Sequence, residues 1–129
     1  MKIFLIIGGV HSLLFGVFHC MFYKLLHWKK ELKKITPANQ AVMQILNLRL
    51  IYIFFLHSFF CIFVIDKLHG AAPVNYMLAA SALFWLGRTI EQFVFMKQLP
   101  FKHPANRLLT IMFIIGIAIY AIPLFDQVI

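Results

Sequence analysis

Long apolar stretches separated by short polar segments form the main pattern along this chain. There are four of them, at residues 3–23, 45–65, 76–96 and 108–125. Each is close to the twenty or so residues that an α-helix needs to cross the hydrocarbon core of a bilayer. The pattern predicts an all-α fold in which residues 1–129 form a single four-helix transmembrane bundle surrounded by lipid.

Small and polar residues mark the faces that should pack within the first two stretches. In the first stretch, small residues recur at every fourth position, at Gly8, Ser12 and Gly16. This spacing lets a second helix approach closely. In the second stretch, helical periodicity places Asn47, His57, Ser58 and Cys61 on one broad face. Arg49 lies about 160° from Asn47 around the helix and therefore belongs to another face.

The segment between the first two stretches is strongly basic. It carries five lysines between residues 24 and 34, and Leu25, Trp28, Leu32 and Ile35 repeat at helical spacing. The pattern predicts an amphipathic helix at the lipid headgroups. A helical extension packed on the bundle is the alternative. Thr36 and Pro37 should then start the next helix, as N-cap and first helical residue.

Composition and charge agree with a membrane protein. The chain has 129 residues, of which 63% are hydrophobic and 12% charged, whereas soluble domains are about 25% charged. The net charge of +8 comes largely from short segments beside apolar stretches, which favours the positive-inside rule over nucleic-acid binding. This rule predicts that residues 24–44 and 97–107 form cytoplasmic loops and that both termini lie outside. We also expect the membrane to be a bacterial inner membrane.

The third apolar stretch is interrupted by the polar side chains of Arg88, Glu91 and Gln92. A charge at that depth costs about 3 kcal/mol unless it is partnered or hydrated. Counting inward from the cytoplasmic side places three polar residues of the first two helices at similar or slightly shallower depth, namely His19, Asn47 and Arg49. We therefore expect an anionic, amphipathic small molecule to bind in this half of the membrane. The candidate ligand-binding residues are Arg88, Glu91, Gln92, Asn47, Arg49, Trp85 and His19.

Two histidines on different helices lie at matched depth in the same count, His11 and His57. Facing histidines in a bundle can ligate haem axially, so they are the candidates for a metal site or a haem b site in an electron-transfer protein. Cys20 and Cys61 form no C-x-x-C motif. We therefore expect both to be small buried residues without redox chemistry.

Other functional hypotheses remain open at this point. The polar residues could be interhelical hydrogen-bonding groups of a structural or assembly subunit. Alternatively His11, His57 and Glu91 could form the proton path of a small transporter, since all three titrate and the histidines lie deeper than Glu91. The sequence does not decide whether the protein is an enzyme.

One stretch resembles a known family. The sequence F-W-L-G-R at residues 84–88, followed by a basic loop with prolines and a last helix containing Gly and Ala, is similar to the membrane-associated proteins in eicosanoid and glutathione metabolism (MAPEG). Arg88 aligns with the third-helix arginine of that family, and Asn47 with its second-helix asparagine. The family glutamate three residues after the asparagine is Leu50 here, and the tyrosine beyond the arginine is Phe95.

The resemblance covers roughly residues 24–125 and is mostly one of topology. It implies four crossings, a basic cytoplasmic first loop and outward termini. It also implies a homotrimer that binds glutathione between its subunits.

Overall fold

The computed structural model describes residues 2–64, 72–95 and 104–125, and these residues are helical almost throughout, with no strand among them. The described residues form six α-helices. A 3₁₀ turn follows α3, and a π-helical segment follows α4. In chain order the elements are α1 (Lys2–Cys20), α2 (Phe22–Leu25), α3 (Trp28–Glu31), the 3₁₀ turn (Leu32–Lys34), α4 (Pro37–Phe59), the π segment (Phe60–Val64), α5 (Ala72–Phe95) and α6 (Pro104–Phe125). The predicted all-α class is confirmed.

Three of these helices are long and apolar enough to cross a membrane. They are Lys2–Cys20, Pro37–Val64 and Pro104–Phe125. Helix α5, at the position of the third predicted crossing, is 24 residues long but is not among them, since its polar residues lower its mean hydropathy. The loops predicted after the second and third crossings lie mostly outside the described residues, as do Lys97 and Lys102.

Large apolar side chains cover much of the outward surface of these helices. On α4, Ile45, Leu46 and Leu48 are each more than half exposed, at 57%, 58% and 57%. Soluble proteins seldom expose contiguous apolar surface on this scale. Together with the three helices of membrane-spanning length, this surface indicates a membrane protein.

Contacts divide the chain into two compact units. One comprises residues 9–64, and the other comprises residues 1–8 and 65–129. We refer to them as the α1–α4 unit and the α5–α6 unit.

Close approach of α1 to α4 holds the α1–α4 unit together. The Ser12 hydroxyl donates a hydrogen bond of 3.0 Å to the backbone carbonyl of Phe54. A β-carbon placed on Gly16 would come within 2.9 Å of the Phe55 ring, and one on Gly9 within 2.6 Å of Ile62. The prediction that small residues of the first helix permit such an approach is confirmed.

Helix α4 presents the face that its periodicity predicted. Ser58 and Cys61 are buried, and Asn47 and His57 are half-buried. Arg49 is exposed, as its position on another face required. Cys20 is also exposed, so the expectation that both cysteines are buried was wrong for this one, which lies at the last residue of α1.

The basic segment after α1 is helical but not one continuous helix. His27 adopts the left-handed conformation, with φ 50° and ψ 40°, and separates α2 from α3. Trp28 and Leu32 are buried, at 8% and 6% exposure, so this part of the apolar face packs on protein, as in the second of the two interpretations, whereas Leu25 is 48% exposed. Thr36 caps α4 by accepting a hydrogen bond from the Asn39 amide, which confirms the predicted helix start.

In the α5–α6 unit, aromatic side chains join α5 to α6. The rings of Trp85 and Phe113 stack with their centroids 5.8 Å apart. Tyr120 is fully buried, and its hydroxyl donates a 2.9 Å hydrogen bond to the carbonyl of Gly8. Helix α6 thereby contacts the first turns of α1, which belong to the same unit.

Candidate functional site

Arg88 is held in a defined position on α5. Its Nη2 donates a hydrogen bond of 3.2 Å to Oε1 of Gln92, one turn further along the helix. Its Cζ lies 4.7 Å from the centroid of the Phe113 ring on α6, within cation–π range. Its Nη1 lies 3.7 Å from Oε2 of Glu91. These three contacts fix the guanidinium group, whose side chain is still 33% exposed.

A chain of hydrogen bonds continues from Gln92 into α6. Gln92 is buried, and its Nε2 donates to Oδ1 of Asn106, which is also buried. The Thr110 hydroxyl donates a 2.9 Å hydrogen bond to the backbone carbonyl of Asn106, one turn earlier on α6. Buried amides cost free energy unless they are paired, and here the two amides satisfy each other across the helix pair.

The remaining α5 candidates lie on either side of this chain. Trp85 is buried against Phe113 at 3% exposure, so it offers little surface to a ligand. Glu91 is 57% exposed. The candidates on α5 therefore do not share one environment, since Trp85 and Gln92 are buried whereas Glu91 is exposed. We call Arg88, Glu91, Gln92, Asn106 and Phe113 the Arg88 cluster.

His19 and Asn47 form a second polar pair, within the α1–α4 unit. Nδ1 of His19 lies 2.8 Å from Oδ1 of Asn47, and Nδ2 of Asn47 donates to the carbonyl of His19 at 3.1 Å. The depth count had placed these two residues at neighbouring levels on different helices. Both polar atoms of the Asn47 amide are thus engaged by α1.

Arg49 takes no part in that pair. Its guanidinium carbon lies 6.0 Å from the ring centroid of Tyr52, one turn along α4, at the limit of cation–π contact. Among the described residues, the cation beside Glu91 is Arg88, one turn away on its own helix.

His11 and His57 lie on α1 and α4 and interact electrostatically. The buried His11 ring packs edge-on against Phe15, with centroids 5.1 Å apart, and Nε2 of His57 lies 3.5 Å from Sγ of Cys61. Within the described part of the chain, no three His, Cys, Asp or Glu side chains are grouped to hold a metal ion. To ligate haem through Nε2, His57 would have to give up its contact with Cys61. A haem site at His11 and His57 remains a prediction.

Sequence reasoning missed Asn106, Thr110 and Phe113. The fourth crossing was predicted to begin at residue 108, whereas α6 begins at Pro104. One signal was present, because Pro-Ala-Asn occurs both at residues 37–39 and at residues 104–106, and in each case its proline is the first helical residue. Placing the helix start at the second copy would have brought Asn106 into reach of α5.

Comparisons with protein-family models, with curated proteins and with solved structures gave no match. The geometry of the side chains is therefore what bears on function.

Proposed function

We propose that this chain is an integral membrane protein with four crossings, and that the Arg88 cluster binds the anionic head of an amphipathic small molecule. The observation that carries the proposal is an arginine held on three sides yet one-third exposed. The MAPEG resemblance, with its homotrimer and its glutathione ligand, is one specific form of this proposal.

The polar groups of α5 are arranged in a way that supports a crossing at this helix. The Gln92 amide is paired with Asn106, and the charge of Arg88 is offset by the nearby Glu91 carboxylate and the face of Phe113. Pairing and hydrogen bonding remove much of the cost of placing such groups in a bilayer. Helix α5 can then span the membrane despite its lower mean hydropathy.

The contact between Arg88 and Glu91 supports exchange with a ligand. At 3.7 Å it is longer than a charge-assisted hydrogen bond, and Glu91 is more exposed than Arg88. A guanidinium group has five N–H donors arranged to bind a carboxylate or phosphate in a bidentate manner. An anionic head group could replace Glu91 while Gln92 and Phe113 keep Arg88 in place, and an apolar tail would remain in lipid.

The test compares Arg88→Ala with Arg49→Ala in purified protein. Both changes remove an arginine from a long helix, and Arg49 lies outside the cluster. Binding of glutathione and of a long-chain fatty acid is measured by native mass spectrometry and titration calorimetry. We expect Arg88→Ala to weaken binding about 10- to 100-fold, as for loss of a charged hydrogen bond, and Arg49→Ala to bind normally.

A structural role is the second candidate, and the buried Gln92–Asn106 pair favours it. On this hypothesis the cluster joins α5 to α6 and binds nothing. Arg88→Ala would then lower thermal stability, and neither probe would bind to the unmodified protein. That pair of results would overturn the ligand proposal, whereas lost binding at unchanged stability would support it.

A further inference from the structure

A basic cleft lies in the segment between α1 and α4, within the α1–α4 unit. It has a volume of about 650 Å³ and is lined by Tyr23, Lys24, His27, Lys29, Lys30 and Glu31. This size falls within the range of small-molecule sites, about 300–1,000 Å³. We propose that the cleft binds a phosphate-bearing anion, such as the head group of an anionic phospholipid.

The cleft is formed by a fixed backbone. The left-handed His27 turns the chain between α2 and α3, and its carbonyl accepts hydrogen bonds from the amides of Lys30 and Glu31, both at 2.9 Å. On the inner side, Trp28 and Leu32 are buried. Because the apolar side chains hold this segment on the protein, its lysines are presented together at the surface.

The charges around the cleft are unbalanced in favour of an anion. Three lysines line it, against one carboxylate, that of Glu31. Glu31 is engaged by Lys34, whose Nζ lies 2.9 Å and 2.8 Å from its two carboxylate oxygens. No carboxylate among the described residues forms an ion pair with Lys24 or Lys29. The hydrogen bonds from Lys34 lower the pKa of Glu31, so this carboxylate stays ionised and occupied by a lysine that does not line the cleft.

The residue types match a phosphate head group at a membrane surface. Lysines beside membrane spans attract anionic lipids, each by an amount that makes binding roughly fivefold tighter. The hydroxyl of Tyr23 and the ring of His27 add hydrogen-bond donors, and tyrosine favours the depth of the head groups. The cleft begins three residues after the end of α1, a helix long and apolar enough to cross a membrane.

The test uses two variants of equal charge change. Lys24→Gln/Lys29→Gln removes two cleft cations, and Lys33→Gln/Arg107→Gln removes two exposed cations that do not line the cleft. Retention of phosphatidylglycerol, compared with phosphatidylcholine, is measured by native mass spectrometry, with thermal melting as a check of folding. We expect the cleft variant to bind phosphatidylglycerol about 30-fold more weakly and the control to match the unmodified protein.

Two further measurements identify the source of the anion and test the sign of the effect. Inorganic phosphate titrated into lipid-depleted protein separates the sources: tight, saturable binding assigns the cleft to a soluble phosphate compound, and its absence assigns it to lipid. Glu31→Gln should strengthen binding about fivefold, because it removes the one negative charge in the lining. Equal losses in both double variants would overturn the proposal, and so would equal retention of the two lipids together with no binding of inorganic phosphate.

Discussion

Replacing Gly8 by alanine should destabilise the protein, although alanine is the better helix former. A β-carbon at Gly8 would lie 2.9 Å from both Cε1 and Oη of Tyr120 and 3.0 Å from its Cζ. Tyr120 is completely buried, so its ring has no space into which it can withdraw. Its hydroxyl is also the donor to the Gly8 carbonyl, and displacement of the ring breaks that hydrogen bond.

The size of the effect follows from three opposing contributions. Forcing an extra methyl group into a packed site costs about 1–3 kcal/mol. Loss of the hydrogen bond costs about 1 kcal/mol, and the gain in helix propensity from glycine to alanine returns about 1 kcal/mol. We expect the free energy of unfolding to fall by about 1–3 kcal/mol. Tyr120→Phe, which removes the hydroxyl without overpacking, should cost about 1 kcal/mol.

Gly87→Ala is the matched control. Gly87 also lies inside a helix, but a β-carbon there would meet nothing within 4 Å. It should stabilise the protein by up to about 1 kcal/mol through helix propensity. Unfolding of all three variants is followed by far-UV circular dichroism in detergent with increasing denaturant. If Gly8→Ala stabilises the protein as much as Gly87→Ala does, the inference that Tyr120 packs rigidly against Gly8 is refuted.

Three further predictions concern the α1–α4 unit. Gly16→Ala should change stability little in the same assay, because its close neighbour Phe55 is 37% exposed and can move aside; a loss as large as that of Gly8→Ala would contradict this. Asn47→Ala should cost roughly 1 kcal/mol, since it removes both hydrogen bonds to His19, and unchanged stability would contradict this. The pKa of Glu31 is lowered by its hydrogen bonds from lysine, so their stabilisation is present above the unfolded pKa and disappears as the pH falls through the lowered value. The melting temperature of the unmodified protein should therefore exceed that of Glu31→Gln at neutral pH and converge with it in acid, whereas a constant difference would argue against this pair.

Periodicity predicted the long helices well because burial and lipid exposure both follow helical spacing. It predicted the inward face of the second crossing, including Ser58 and Cys61. It missed Asn106, because α6 begins at Pro104, four residues before the apolar stretch on which the prediction relied. It also missed the break at His27, since the apolar repeat runs through that position without a glycine or proline.

Whether Arg88 binds a ligand, and whether His11 and His57 form a site, could not be predicted in the same way. Whether a buried polar side chain binds a ligand or only its neighbours depends on partners that are distant in sequence. Asn47 illustrates this, because the amide expected to face a ligand is engaged by His19.

The π-helical segment at Phe60–Val64 has a consequence for how this sequence can change over time. A π turn takes up one residue more than an α turn, so a single deletion there can be absorbed by reverting to α-helix. A deletion in the middle of α4, at Ile51 for example, would rotate every later side chain by about 100° and turn Phe54 away from α1. We therefore expect deletions of one residue to be tolerated at the end of α4 and selected against in its centre.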